Sequence, residues 1–341
     1  MPSPAAVRAS LQVLLPPKLA DRDGWAADIQ GAFFALGLPA DAERLCAAIA
    51  VIEQESSFRA DPAVPGLPGM ARAEILRRAG QMHVPEMAVN LALRLTSPNG
   101  LSWEQRLETV RTERDLSELF EELIAGLPLG GRLLSGYNPV RTGGPMQVSI
   151  AWSQAHANAR PYPFRGDASI RQEVFTRRGG LYFGIAHLLD YPAAYDRMIY
   201  RFADFNAGHH ASRNAAFQQA VAGLTGRSLA LDGDLVRRTG GADAAPGETE
   251  AAVRLLAARL DMTDAQIRRD LEKGEGPGLA DTPLYARVFA LADARAGKSQ
   301  PRAVLPNIRL QGPKIQRKLT TAWFAERVDG RRERCLKRVH G

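Results

Sequence analysis

From Leu45 to Ile52 the chain runs Leu-Cys-Ala-Ala-Ile-Ala-Val-Ile, eight residues without a polar side chain. Asp41 precedes this run and Ser56 follows it, so the stretch reads as one helix over about 41–56. At 3.6 residues per turn, Leu45, Ala48, Ile49, Val51 and Ile52 surround the helix instead of marking one stripe. A helix apolar on every side belongs in the middle of a core. At 341 residues the chain is long enough to build that core in one large or two modest domains. The run is far too short to span a bilayer.

The rest of the chain is patterned for helices, with no series of alternating strands and hairpin turns. Short helices are expected at Asp28–Leu36, about 70–80 and 86–95, and from Trp103, where Ser102 and Gln105 have capping-box spacing. Leu127–Gly144 is rich in Gly and Pro and reads as loop. Helices follow at Val148–Asn158, 181–190 and 193–205. In the last of these Tyr195, Ile199, Phe202 and Asn206 share a face, so Asn206 is expected to point inward. Thr239–Gly247 reads as a linker. Beyond it come helices near 249–260, 264–273 (capped by Thr263), 283–294 and 313–327. Ordinary globular composition, with 45% apolar and 24% charged residues, excludes wholesale disorder and fibrous repeats.

Cys46 and Cys335 lie at opposite ends of the chain and cannot form a structural zinc site by themselves. The expectation is two unpaired thiols, with Cys46 buried on its helix. The alternative, a single long-range disulfide, requires an oxidising compartment. The formal charge is +7, and Lys314–Arg338, with nine basic and three acidic residues, carries +6 of it. This segment is expected to be a solvated helix face. The alternative is a contact with an anionic wall polymer or lipid. No nucleic-acid motif or aromatic interleaving accompanies it, so no nucleic-acid partner is expected.

Several chemistries find no footing. His209 and His210 are adjacent, and adjacent residues on a helix diverge. No His-Glu-x-x-His, Cys-x-x-Cys, phosphate loop or Gly-x-Ser-x-Gly elbow occurs. His83, His156 and His187 read as ordinary surface or core residues. No metal and no cofactor are expected.

Three short segments occur in a telling order: Glu53-Gln54-Glu55-Ser56-Ser57-Phe58 with Asp61-Pro62, then Gly144-Pro145-Met146-Gln147, then Phe205-Asn206-Ala207-Gly208. Together they resemble the superfamily of goose-type lysozymes and soluble lytic transglycosylases. There a helix ends in Glu-Ser-x-Phe, a Gly-Leu-Met-Gln segment follows, and Tyr-Asn-Ala-Gly closes the cleft. The resemblance implies an all-α, lysozyme-like fold. Residues 1–238 would form the catalytic domain, with a helical insertion at about 63–140. Residues 239–341 would form a helical extension packed on it.

The resemblance also implies cleavage of the MurNAc-β-1,4-GlcNAc bond of peptidoglycan glycan strands. Glu55 would be the general acid and then base. A carboxyl at the end of a buried helix is desolvated and faces the negative end of the helix dipole, both of which favour its neutral form. Ser56, Met146, Gln147, Phe205 and Asn206 carry over as substrate-binding residues. No second carboxylate stands at a recognisable motif position, which favours a single-acid scheme ending in a 1,6-anhydro product over hydrolysis. Phe205 stands where the family usually has Tyr, so a hydroxyl is lost. Tyr137 and Asn138 are candidates to replace it. The alternative is a non-catalytic murein-binding or scaffolding protein.

As a whole the chain is also similar to an uncharacterised family of bacterial envelope lipoproteins. That similarity implies a periplasmic or outer-membrane location. No N-terminal stretch has the make-up of an export signal, so the chain as written is either cytoplasmic or a mature form. Oligomeric state is not legible.

Overall fold

In the computed structural model, residues 2–126, 138–164, 166–237, 245–309 and 319–339 are described. Leu45 to Ile52 are completely buried, as an all-round apolar helix requires. The structure is predominantly helical. Contacts divide the chain into two compact units, Met1–Asp41 with Ile52–Ala186, and Ala42–Val51 with His187–Gly341. The boundary near 238 read from composition falls inside the second unit.

The first unit begins with α1 (Pro4–Leu14) and α2 (Arg22–Leu36), which pack on each other. Asp21 caps α2 through Gly24 N–H at 3.2 Å, and Gly37 ends it in the left-handed region. The helix therefore starts six residues before the expected Asp28. Helix α3 (Ala42–Glu55) contributes its last residues to this unit. Then come α4 (Leu67–Gln81), α5 (Glu86–Arg94), α6 (Trp103–Thr109) and α7 (Glu113–Gly126). The capping box of Ser102 and Gln105 forms in full. Strands β1 (Thr142–Gly143) and β2 (Val148–Ser149) pair antiparallel, Thr142 opposite Ser149. Ser149 caps α8 (Ile150–Ala159), so the helix expected from Val148 opens two residues later. Helices α9 (Ile170–Val174) and α10 (Arg177–Leu189) follow, the last three residues of α10 belonging to the second unit.

The second unit holds the first part of α3, then α11 (Met198–Ala207) and α12 (Ala211–Thr225). Next are α13 (Glu248–Arg254), α14 (Ala257–Leu260), α15 (Asp264–Leu271), α16 (Pro283–Ala296) and α17 (Thr321–Lys337). Helix α12 is buried on nearly every side, with Phe217, Val221 and Leu224 packed among Leu256, Ile267, Leu284, Val288 and Phe289. The single helix expected at 249–260 is broken at Leu255–Leu256. Most of the expected linker, and Lys314, Arg317 and Lys318 of the basic segment, lie outside the described residues. Within that segment Arg332 is bound to Asp329 and Glu43, so part of its charge is matched internally.

Cys46 on α3 and Cys335 on α17 are joined in a disulfide, with Cα atoms 5.6 Å apart. This corrects the expectation of two free thiols. The fold brings the two cysteines together, a proximity that a separation of 289 residues conceals in the sequence.

Candidate functional site

Glu55 is the last residue of α3 and is half-buried. Ser56 follows it inside, 6% exposed, and its hydroxyl donates to Ile52 O at 3.0 Å. That hydroxyl spends its hydrogen on the helix end. The chain then takes an unusual course. Ser57 and Phe58 both have left-handed φ, 50° and 59°. Such a conformation costs non-glycine residues roughly 1–2 kcal/mol each. Phe58 sets its ring edge against Trp25, centroids 5.3 Å apart. The Arg177 guanidinium lies over the Trp25 ring, 5.3 Å from its centroid. Arg177 is held in turn by Asp21 and the buried Asp28, each at 2.5 Å. Packing thus fixes the strained turn that follows Glu55.

The second segment is the loop between β1 and β2. Gly144 has φ 72°, and a Cβ there would meet Val174 O at 2.1 Å, so only glycine fits. Met146 is fully buried, not a cleft wall. It lies against α10 at Gly184, where a Cβ would come within 2.5 Å of its Sδ. Its place in the core corrects its assignment as a substrate contact. Gln147 is half-buried with φ 52°. Its amide folds back on the hairpin: Nε2 donates to Gly144 O, and Oε1 accepts from Thr142 Oγ1, both at 3.3 Å.

The third segment closes α11 in the second unit. Phe205 is half-buried, with its ring 5.2 Å from that of His187. Asn206 is exposed, not inward-facing, and its Oδ1 accepts from Thr321 Oγ1 at 3.1 Å. Tyr195, which was to define the inward face, precedes the helix, which starts only at Met198. Asn138 is buried and donates to Ser117 O and Glu121 Oε1, so it serves the packing of α7. Tyr137 lies outside the described residues.

The polar centre of this part of the second unit is Asp204, a residue the sequence reading passed over. It is completely buried. Oδ2 accepts from Tyr191 and Tyr195 hydroxyls at 3.0 and 2.6 Å and from His210 N at 2.9 Å; Oδ1 accepts from Ser212 N at 2.7 Å. Burial pushes this carboxyl above its usual range, while the hydroxyls and amides pull it back. The same burial, with Asp204 beside them, raises both tyrosines. His209 lies between Tyr191 and His187, stacked at 4.0 and 4.4 Å, with Nε2 2.7 Å from His187 O. His210 has a left-handed φ of 65°, and burial pushes its imidazole down to about 3.

Among the described residues, no group of three or more His, Cys, Asp or Glu side chains could hold a metal ion. Seven non-glycine residues there have positive φ. Ser57, Phe58 and Gln147 fall within the first two segments, and His210 sits just past the third.

The family described as "Protein of unknown function (DUF1615)" matches residues 18–338. "Uncharacterized protein YaiW" of Escherichia coli (strain K12) is 54% identical over 323 residues, covering 95% of this chain and 87% of that protein. No solved structure matches. With nearly the whole chain covered by the family, it belongs to DUF1615.

Proposed function

We propose that this protein is a peptidoglycan lytic transglycosylase with a lysozyme-like catalytic region and Glu55 as its acid and base. The observation that carries this reading is where the strained backbone sits. Left-handed residues persist where the surrounding structure over-determines them, and they cluster at sites that need a fixed geometry. Here Ser57 and Phe58 stand two and three residues after Glu55, and Gln147 is the final residue of the Gly-Pro-Met-Gln segment.

In this reading Glu55 gives its proton to the glycosidic oxygen as the bond to the anomeric carbon breaks. The resulting carboxylate then takes the proton of the muramyl 6-hydroxyl, whose oxygen bonds to the same carbon. The products are a 1,6-anhydromuramyl end and a free GlcNAc 4-hydroxyl, with Glu55 again protonated and no water consumed. Gln147 is the polar side chain of the second segment that remains accessible to a sugar. The Cys46–Cys335 disulfide supports an oxidising compartment, hence the periplasm or outer membrane.

A second reading, a murein-binding protein without turnover, is favoured by the third segment. Phe205 lacks the usual hydroxyl, and Asn206 is engaged by Thr321. Mass spectrometry of soluble products from purified sacculi separates the two. Anhydromuropeptides from the wild type and none from Glu55→Gln support the first. Sacculus binding without product from either protein, with an active control enzyme, supports the second. Reducing-end products would sink the single-acid scheme.

A further inference from the structure

Helix α5 and the turns on either side of it carry an exposed apolar ridge that the proposed chemistry does not use. Eleven large hydrophobic residues are exposed among the described residues, and six fall between 82 and 101: Met82, Val84, Met87, Leu91, Leu95 and Leu101. Met87 and Leu91 are one helical turn apart, and Leu95 continues the line just past the end of α5. The opposite face of α5, through Val89 and Leu93, is buried, and the helix packs on α4 and α6. The ridge is therefore surplus to the core.

Local backbone geometry gathers the other members. His83 takes φ 59°, and Val84 N–H donates to Ala79 O at 2.8 Å, which turns the chain out of α4. Ser97 N–H donates to Leu101 O at 2.8 Å, and Trp103 N–H donates to Leu95 O at 3.2 Å. Leu95 and Leu101 thus belong to one tight loop. Every residue from 80 to 88 is exposed.

We propose that this tip inserts shallowly into a phospholipid bilayer surface. Met87 is 82% exposed and Leu91 67%, so these side chains stand out from the surface and do not line a groove. A protruding ridge has no walls to grip a peptide. A second copy would offer the same convex ridge, and six side chains fall short of the ~800 Å² per partner that a stable dimer buries. A fluid acyl boundary moulds itself around such a shape. Charge is sparse as well. Between residues 79 and 103 only Glu86 and Arg94 carry full charges, so little has to be desolvated. Arg94, exposed in the last turn of α5, can keep its guanidinium among lipid phosphates while its stem lies along the apolar layer. The inference is independent of the transglycosylase reading.

The test is co-sedimentation of the full chain with phosphatidylcholine vesicles, with and without phosphatidylglycerol. The wild type is expected to partition onto both, more strongly with the anionic lipid. Met87→Gln/Leu91→Gln is expected to lower the partition coefficient by about tenfold or more at an unchanged melting temperature. Leu95→Gln, outside the helix, should weaken binding in the same direction. No wild-type binding to either vesicle would overturn the proposal. So would equal binding by the double variant. A wild-type dimer in sedimentation velocity that the double variant abolishes would assign the ridge to a second copy instead.

Discussion

Tyr195 donates its hydroxyl hydrogen to Asp204 Oδ2 across 2.6 Å, on a carboxylate that is completely shut off from solvent. With Tyr191 and the amides of His210 and Ser212, it replaces the water that a buried carboxylate loses. Every one of these partners is a donor. Asp204→Asn would keep the shape but turn an NH₂ toward donors on one side. It is expected to cost about 2–4 kcal/mol, whereas Tyr195→Phe should cost about 1–2. Chemical denaturation of both variants and of the double variant would measure this. Fully additive losses would show that the two groups act independently.

The pH dependence of stability should carry the mark of His210. Its imidazole titrates near 6.5 when unfolded and is pushed down to about 3 by burial, with Arg213, His209 and Arg201 adding repulsion. A depressed folded value means that the stabilising contribution is present above pH 6.5 and is lost as pH falls toward 3. Asp204, whose folded value is raised, works in the opposite sense: its contribution is present in acid and lost as pH rises. The difference between wild type and His210→Asn isolates the imidazole, because Asn tolerates the left-handed backbone and keeps the amide bound to Asp204. Melting temperatures from pH 7 to 4 should fall less steeply in the variant. Parallel curves would refute the assignment.

A glycine in the middle of a helix is ordinarily a place where alanine stabilises. Gly184 should behave in the opposite way. A Cβ there would meet Met146 at Sδ, Cβ and Cγ, all under 3.0 Å. Met146 is buried and cannot swing away. Gly184→Ala is expected to destabilise by about 1–3 kcal/mol. Adding Met146→Val should recover part of that loss in a thermal melt.

Cys335→Ser is expected to lower stability by about 2–5 kcal/mol, since it opens a loop closed across 289 residues. The same fall should appear when the wild type is reduced. Thiol titration of the native protein should find no free thiol before reduction.

Legibility followed periodicity and capping. The core helix α3, the capping box at Ser102, the cap at Thr263, and helices α5 and α16 stand close to where the sequence puts them. Helix α12 was missed because it is buried all round while carrying Ser212, Arg213, Asn214 and Gln218, so neither apolarity nor a stripe marks it. Those polar side chains are satisfied by distant backbone, such as Arg213 on Gly274 and Gly276, which no local pattern encodes. Asp204 was missed for a related reason. It lies roughly 140° around α11 from Ile199, at 3.6 residues per turn, outside the apolar face that drew attention to Asn206. The helix is packed on more than one side, and only tertiary contacts reveal it. The disulfide was equally hidden, because two cysteines with no spacing motif say nothing about distance in space.

The Cys46–Cys335 bond also sets a timetable for the chain. Synthesis runs from the N-terminus, so Cys46 emerges 289 residues ahead of Cys335 and has to wait for it as a thiol. These 341 residues hold no third cysteine to compete for it, but throughout that interval there are wrong partners outside the chain. Ala42–Val51 belong to the same compact unit as His187–Gly341, so the burial that shields Cys46 is completed by the same late part of the chain that brings its partner.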